Sequence, residues 1–223
     1  LVQMSNTKRT LGLIPARGGS KRLSRKNIRD FNGKPLIAHS IEQANSASSV
    51  DKTVVSTDDE EISAVAKDYR ADVPFERPEE LATDTATNTE VVSHAIDWFE
   101  KEGEKFDLVC MLLPTNPFRA VSDINTATSQ LVDSDTQSVI GVVEYDISPA
   151  FALEIKEGDL LEPILEEKYF TSKTRTQETP DYVHPNGSLY AAKIDAFREN
   201  NSFYTRKTVA HKMPPERSFD IDT

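Results

Sequence analysis

One cysteine in 223 residues excludes a disulfide framework, and Cys110 lies in an apolar run where it reads as a small core residue. A reducing, cytoplasmic setting is the expectation. Positive charge is also scarce. Lys and Arg number 26 against 37 Asp and Glu, a net charge of −11 that argues against nucleic acid or an anionic membrane as a partner. Long hydrophobic runs are missing: the longest, Leu108–Leu113, is far too short to span a bilayer. Leu1–Thr10 is polar and lacks the apolar stretch of a signal peptide. The native start is expected at Met4, with a further helix after Thr223. The sequence has no internal repeat and no low-complexity tract. What remains is an ordinary apolar content of 37% and enough chain for one sizeable core.

The scarce positive charge is concentrated in one place. Between Arg17 and Arg29 stand six basic residues, Arg17, Lys21, Arg22, Arg25, Lys26 and Arg29, and no acidic one. They follow the apolar run Leu11–Ile14, which reads as a buried strand, and they surround Gly18-Gly19-Ser20. Two glycines free of Cβ restrictions let the chain bend tightly and point several N–H groups at one anion. Backbone donors beside Arg and Lys are what a polyphosphate needs. Taken alone, a Gly-Gly-Ser is more often a solvated turn; strand, turn and charge together favour a phosphate site.

Along the rest of the chain, strands and helices alternate. Helical spacing covers Leu36–Ala47, and Thr53–Ser56 is a β-branched strand. Asp58–Glu61 places acids where a helix N-terminus favours them, ahead of a helix to about Tyr69. Asp72–Phe75 reads as a weak strand and Glu90–Lys101 as a helix burying Val91, Ala95, Ile96 and Phe99. Asp107–Leu113 is the most apolar strand and so central. A helix over Ser122–Val132 and a strand over Ser138–Val143 follow. This is the pattern of an α/β, Rossmann-like, mostly parallel sheet with helices on both faces. In such sheets ligands sit beyond the carboxyl ends of the strands, where the basic loop, Ser56-Thr57-Asp58 and Pro114-Thr115-Asn116 all fall. After Tyr145 the pattern changes to short hairpin strands, at Phe151–Ile155, Leu160–Ile164 and Tyr169–Phe170. Tyr182–Gly187 reads as a turn-rich link into a strand Ser188–Ala192. A short helix near Asp195–Asn200 and a strand near Val209–Lys212 close the pattern. His94 and Trp98, one helical turn apart, read as packing; His39 and His211 have no metal-like partner at short spacing.

The chain ends in Ser218-Phe219-Asp220-Ile221-Asp222. If this stretch is extended, Asp220 and Asp222 share one side. Two carboxylates near a phosphate loop are hard oxygen ligands suited to Mg²⁺ (or Mn²⁺). Alone, Asp-x-Asp fits a solvated turn; beside the glycine loop, metal binding is favoured.

The combination of IPARGGSKR, KNI, GKPLIAHSI, VVSTDDEEI, FERPEELATDTATNT, PTNPFR, HPNGSLY and SFDIDT resembles the CMP-sialic acid synthetase, or acylneuraminate cytidylyltransferase, family along nearly the whole chain. The resemblance implies one nucleotidyltransferase domain over residues 1–223, joining CTP to a 2-keto sugar acid and releasing pyrophosphate. It implies that Arg17, Gly18, Gly19, Ser20, Lys21 and Lys26 bind the triphosphate. Asn27 and Arg77 would contact the cytosine, while Ala86 and Thr87 would hold the nucleoside. Lys21, Arg17 and Asp222 would carry the chemistry, with Mg²⁺ on Asp220 and Asp222. On the acceptor side it implies Leu113, Thr115, Arg175, His184, Asn186, Phe203 and Tyr204. Residues 146–182 would form a small β-rich arm that packs on a second copy, giving a homodimer.

Two departures bear on the acceptor. Leu113 stands where the family usually has Gln, and His184 where it often has Arg. Losing an amide and a permanent cation changes which acid is preferred, since a bidentate Arg is not replaced evenly by His. N-acetylneuraminate or a close relative is the first expectation. Legionaminic, pseudaminic or octulosonic acids are the alternatives, as is a nucleotide-binding module without catalysis.

Overall fold

The computed structural model describes residues 8–19, 23, 25–132, 134–165 and 179–221. Its centre is a six-stranded sheet of β1 (Thr10–Pro15), β4 (Lys52–Ser56), β5 (Leu108–Leu112), β6 (Ser138–Glu144), β9 (Val183–Lys193) and β10 (Thr208–Lys212). The order across the sheet is β10-β6-β9-β5-β1-β4. β1 is parallel to both β4 and β5, and β10 is parallel to β6. β9 runs antiparallel to both of its neighbours, β5 and β6. Two two-stranded hairpins stand apart: β2 (Asp30–Phe31) with β3 (Lys34–Pro35), and β7 (Leu153–Ile155) with β8 (Leu161–Pro163).

Every residue of β1 and β5 is buried, as expected for strands covered on both faces. The alternation of side chains divides the core in two. Leu108, Cys110 and Leu112 of β5 face the side packed by α1 (Leu36–Ser46), α2 (Glu60–Asp68) and α4 (Val121–Ser129), through residues such as Ile37, Ile41, Ile62 and Ile124. Val109 and Met111 face α3 (Asn88–Lys101) and α5 (Ile194–Asn200), through Val92, Ile96, Phe99 and Phe197. The expected α/β sheet with helices on both faces is present. Burial pushes the Cys110 thiol up to about 12, so it stays a protonated core residue. His94 and Trp98 pack around Phe75, with ring centroids 4.8 and 5.4 Å from it. Among the described residues no helix is long and apolar enough to cross a membrane.

Two sequence expectations need correction. Asp72–Phe75 is not a strand: only Asp72 bridges to β4, opposite Val54. Tyr182–Gly187 is not a link, because β9 already begins at Val183. Its turn residues are a bulge inside the strand. Val142 of β6 pairs with Pro185, but Ile140 pairs with Tyr190, so the β9 backbone swells between them. Gly187 sits in this bulge with φ 74°, and a Cβ there would lie 3.0 Å from the Asn116 side-chain oxygen. The expected hairpin at 151–164 is present as β7 and β8; Tyr169 and Phe170 lie outside the described residues.

Candidate active site

A cleft of about 620 Å³ opens at the carboxyl ends of β1, β4 and β5. Pro15, Arg17, Lys26 and Asn27 line it from the loop after β1, and Leu113, Pro114 and Thr115 from the loop after β5. Arg77, Asp84 and Ala86 come from the loop after α2, and Asn88 and Val91 from the first turns of α3. The three strand-end loops singled out in the sequence thus meet at one edge of the sheet, although of Ser56-Thr57-Asp58 it is the partners, and not these residues themselves, that line the cleft.

The loop after β1 is braced by acids. The Gly18 amide donates to Asp58 Oδ1 at 3.0 Å. Arg17 pairs with Asp84 at 2.8 Å and reaches the Ala82 carbonyl at 3.4 Å, tying the loop to the segment before α3. Arg25 meets Asp59 at 3.2 Å and also pairs with Glu61. Asp59 meanwhile caps α2, accepting from the Glu61 and Ile62 amides at 3.0 and 2.9 Å, so the acidic run is a helix start. Neither Gly18 nor Gly19 uses a positive φ. The reason for Gly18 is space: a Cβ there would lie 2.6 Å from Asp59 Oδ2. Ser20 and Lys21 lie outside the described residues.

Arg77 is buried and held rigidly. Its side chain donates to Ser56 Oγ at 3.1 Å and to the Ser56 carbonyl, and its own amide to the Thr57 carbonyl at 2.8 Å. Burial lowers its pKa to about 10; nearby Asp58 opposes that shift and Arg17 adds to it, and the guanidinium remains a cation at neutral pH. Asn27, in the 3-10 turn Lys26–Ile28, is buried and donates to the Arg17 carbonyl at 3.1 Å. Ala86 lines the cleft, whereas Thr87 is spent in a capping box with Glu90, whose carboxyl its bonds hold below the usual range.

On the acceptor side the placements divide. Leu113 and Thr115 line the cleft. Phe203 and Tyr204 line a smaller recess of about 180 Å³ that shares Asn88 with it. Phe203 is itself largely core, 4.9 Å from the Phe197 ring. His184 is half-buried against Tyr145, ring centroids 4.6 Å apart, and is not among the residues lining the cleft. Asn186 is buried, donates to Ser218 Oγ at 2.9 Å and accepts from the Ser188 amide at 3.0 Å, so its amide braces the β9 bulge, and it is not among the residues lining the cleft. Arg175 lies outside the described residues.

The segment carrying Asp220 is bonded to the loop after β5: the Ile221 amide donates to the Thr115 carbonyl at 2.7 Å. Asp220, the residue before Ile221, is exposed, and its carboxylate makes no hydrogen bond or ion pair to the described residues. Among the described residues no cluster of three metal-type ligands forms; Asp222 lies outside them. Burial, then the charges of Tyr204 and Asp220, raise the pKa of the Tyr190 phenol.

Two buried features were not legible in the sequence. Arg119 is fully buried and donates to the carbonyls of Leu113 (3.4 Å) and Ser188, to Ser40 Oγ at 2.6 Å and to Gln43 Oε1 at 3.1 Å, fixing one wall of the cleft. His211 does have an acidic partner, Asp123 at 3.0 Å, too distant in the chain for spacing to reveal. For Arg119 the available signal was a cation at the end of the PTNPFR loop between the apolar β5 and α4.

Residues 11–209 match the family model described as cytidylyltransferase. The chain is 39% identical over 217 residues to the CMP-N,N'-diacetyllegionaminic acid synthase of Legionella pneumophila, covering 96% of this chain and 91% of that protein. It is 34% identical over 215 residues to the pseudaminic acid cytidylyltransferase of Campylobacter jejuni, with the same two coverages. In fold it is similar to a solved CMP:2-keto-3-deoxy-manno-octonic acid synthetase in complex with CTP, with a TM-score of 0.65, 19% identity, and 93% and 90% of the two chains covered.

Proposed function

The chain belongs to the cytidylyltransferase family, and from that premise we propose that it transfers the cytidylyl group of CTP to a nine-carbon 2-keto sugar acid of the legionaminic or pseudaminic type. The observation that carries the acid is Leu113 in the cleft wall. Acids of this type have a second acylamino group and a methyl end where N-acetylneuraminate has hydroxyls. An apolar wall suits them and leaves an extra hydroxyl without a partner. The diacetyllegionaminic and pseudaminic names of the relatives support the same choice over N-acetylneuraminate.

In the proposed reaction the anomeric hydroxyl attacks the α-phosphorus in line. A new O–P bond forms, the α–β bridging bond breaks, pyrophosphate leaves and the hydroxyl proton is lost. The protein's share is positioning and charge neutralisation. Arg17 and Lys26, with Ser20 and Lys21 beyond the described residues, hold the triphosphate. Asn27 and Arg77 hold the base, and Ala86 the nucleoside. Asp220 fits a divalent cation: it is a hard oxygen donor, exposed, without a hydrogen bond or ion pair to the described residues, and next to Ile221, whose amide bonds Thr115 of the cleft wall. With Asp222 it would hold Mg²⁺, which when bound offsets charge on the phosphate oxygens. We take residues 1–223 as one catalytic unit working in the cytoplasm, and residues 146–182 as an arm that pairs two copies.

The test is pyrophosphate release from CTP with a panel of diacetyllegionaminic, pseudaminic, N-acetylneuraminic and octulosonic acids, with and without Mg²⁺. The fastest turnover is expected with one of the two diacylamino acids and Mg²⁺. Faster turnover with N-acetylneuraminate overturns the choice of acid. CTP binding without turnover on any acid overturns catalysis in favour of a binding module.

A further inference from the structure

Asp123 opens α4 and is 3% exposed. One carboxylate oxygen accepts the Ala120 amide at 2.8 Å. The other accepts His211 Nε2 of β10 and Arg217 Nη2, each at 3.0 Å. Burial alone would raise its pKa, but the bonds from His211 and Ala120 and the charge of Arg217 prevail and hold it below the usual aspartate range. Arg217 ends the 3-10 turn Pro215–Arg217; its Nε is buried with no hydrogen-bond partner among the described residues, and its Nη2 is anchored on Asp123.

From Arg217 onward the backbone is stitched to the cleft wall. Ser218 Oγ donates to the Pro214 carbonyl at 3.0 Å and accepts from Asn186. The Phe219 carbonyl accepts from Asn116 Nδ2 at 3.3 Å. The Ile221 amide reaches Thr115. Between these bonds stands Asp220, with its carboxylate turned to solvent.

We infer that the Arg217–Asp123 ion pair is a positioning device that sets the register of residues 218–221 and so presents Asp220 to a divalent cation. The inference rests on the metal reading of Asp220 proposed above. A carboxylate on an unanchored segment must be ordered at the moment of binding, which subtracts from affinity. Anchoring it to a buried acid on α4 removes that cost. Groups hydrogen-bonded directly to a metal ligand are typically worth about ten- to a hundredfold in metal affinity; Arg217 acts through the backbone three residues from Asp220, which puts its effect at the lower end of that range.

The experiment compares the wild-type chain with Arg217→Met and Arg217→Lys; the Arg217 side chain is 37% exposed, so neither change opens the core. Hydrogen exchange at the Ile221 amide reports the segment. Manganese binding at fixed CTP, read from the free Mn²⁺ resonance, reports the site. In Arg217→Met, faster Ile221 exchange and about tenfold weaker Mn²⁺ binding are expected, with the KM for CTP at saturating metal within about twofold. Arg217→Lys should recover part of both changes. Unchanged Ile221 exchange in Arg217→Met overturns the anchor. Faster exchange with unchanged Mn²⁺ affinity overturns its link to the metal. A wild-type chain that binds no Mn²⁺ overturns the metal reading of Asp220 itself, a failure visible without any variant.

Discussion

Gly18 illustrates how a residue can be right for a reason the sequence does not give. In the sequence it suggests a tight turn of unusual backbone angles. In the structure its backbone is ordinary and the need is for room beside Asp59, the cap of α2. Gly18→Ala should therefore disturb that cap and cost about 1 kcal/mol, the usual value of a lost N-cap. In an Asp59→Ala background the same change should cost much less. Urea denaturation of the four proteins tests this: additive effects would separate the two residues, whereas a coupling of about 1 kcal/mol joins them. Arg17 stood out in the sequence as one of six cations around a glycine turn, whereas Asn27 and Arg77 were singled out only through the family resemblance; the structure lines the cleft with all three. The Asp123–His211–Arg217 cluster was not legible, because it joins three elements that only the folded sheet brings together.

Among elements, those with one clear period were legible within a residue or two. α3 is an example: its apolar spacing announces its face, and the start read at Glu90 falls two residues inside the observed start at Asn88, because the Thr87–Glu90 capping box closes one turn earlier. β9 was half lost, since His184-Pro185-Asn186-Gly187 has turn chemistry that local reading assigns to a loop. Only pairing with β6 shows that the turn residues are absorbed as a bulge. The β7–β8 hairpin was legible, and it carries an unusual load of apolar surface, with Ile155 69% and Leu160 67% exposed. Such a face on a small two-stranded element is unstable in water by itself. If the arm pairs two copies as proposed, light scattering should give about twice the 24.9 kDa chain mass, and Ile155→Glu with Leu160→Glu should return it to one. A wild-type monomer at assay concentration would remove the dimer.

For the whole molecule, alternation of strand and helix was enough to give the α/β class and the edge where the cleft lies, because ligand sites in such sheets follow from topology. Strand order was not legible, since nothing local in β9 says that it enters between β5 and β6. That insertion has a consequence for how the chain reaches its fold. β4, β1 and β5 form one parallel group and β6 with β10 another, and β9 is the strand that hydrogen-bonds to both. Until residues 183–193 are available, β5 and the facing side of β6 are open apolar edges, of the kind that recruits other chains. A nascent chain must thus wait until residues 183–193 have been made before its centre closes, and long-range pairing of this sort is slow. A chain ending at residue 182 is expected to show no cooperative thermal transition and to aggregate. A sharp, reversible transition in that fragment would mean that the first parallel group is a folding unit on its own.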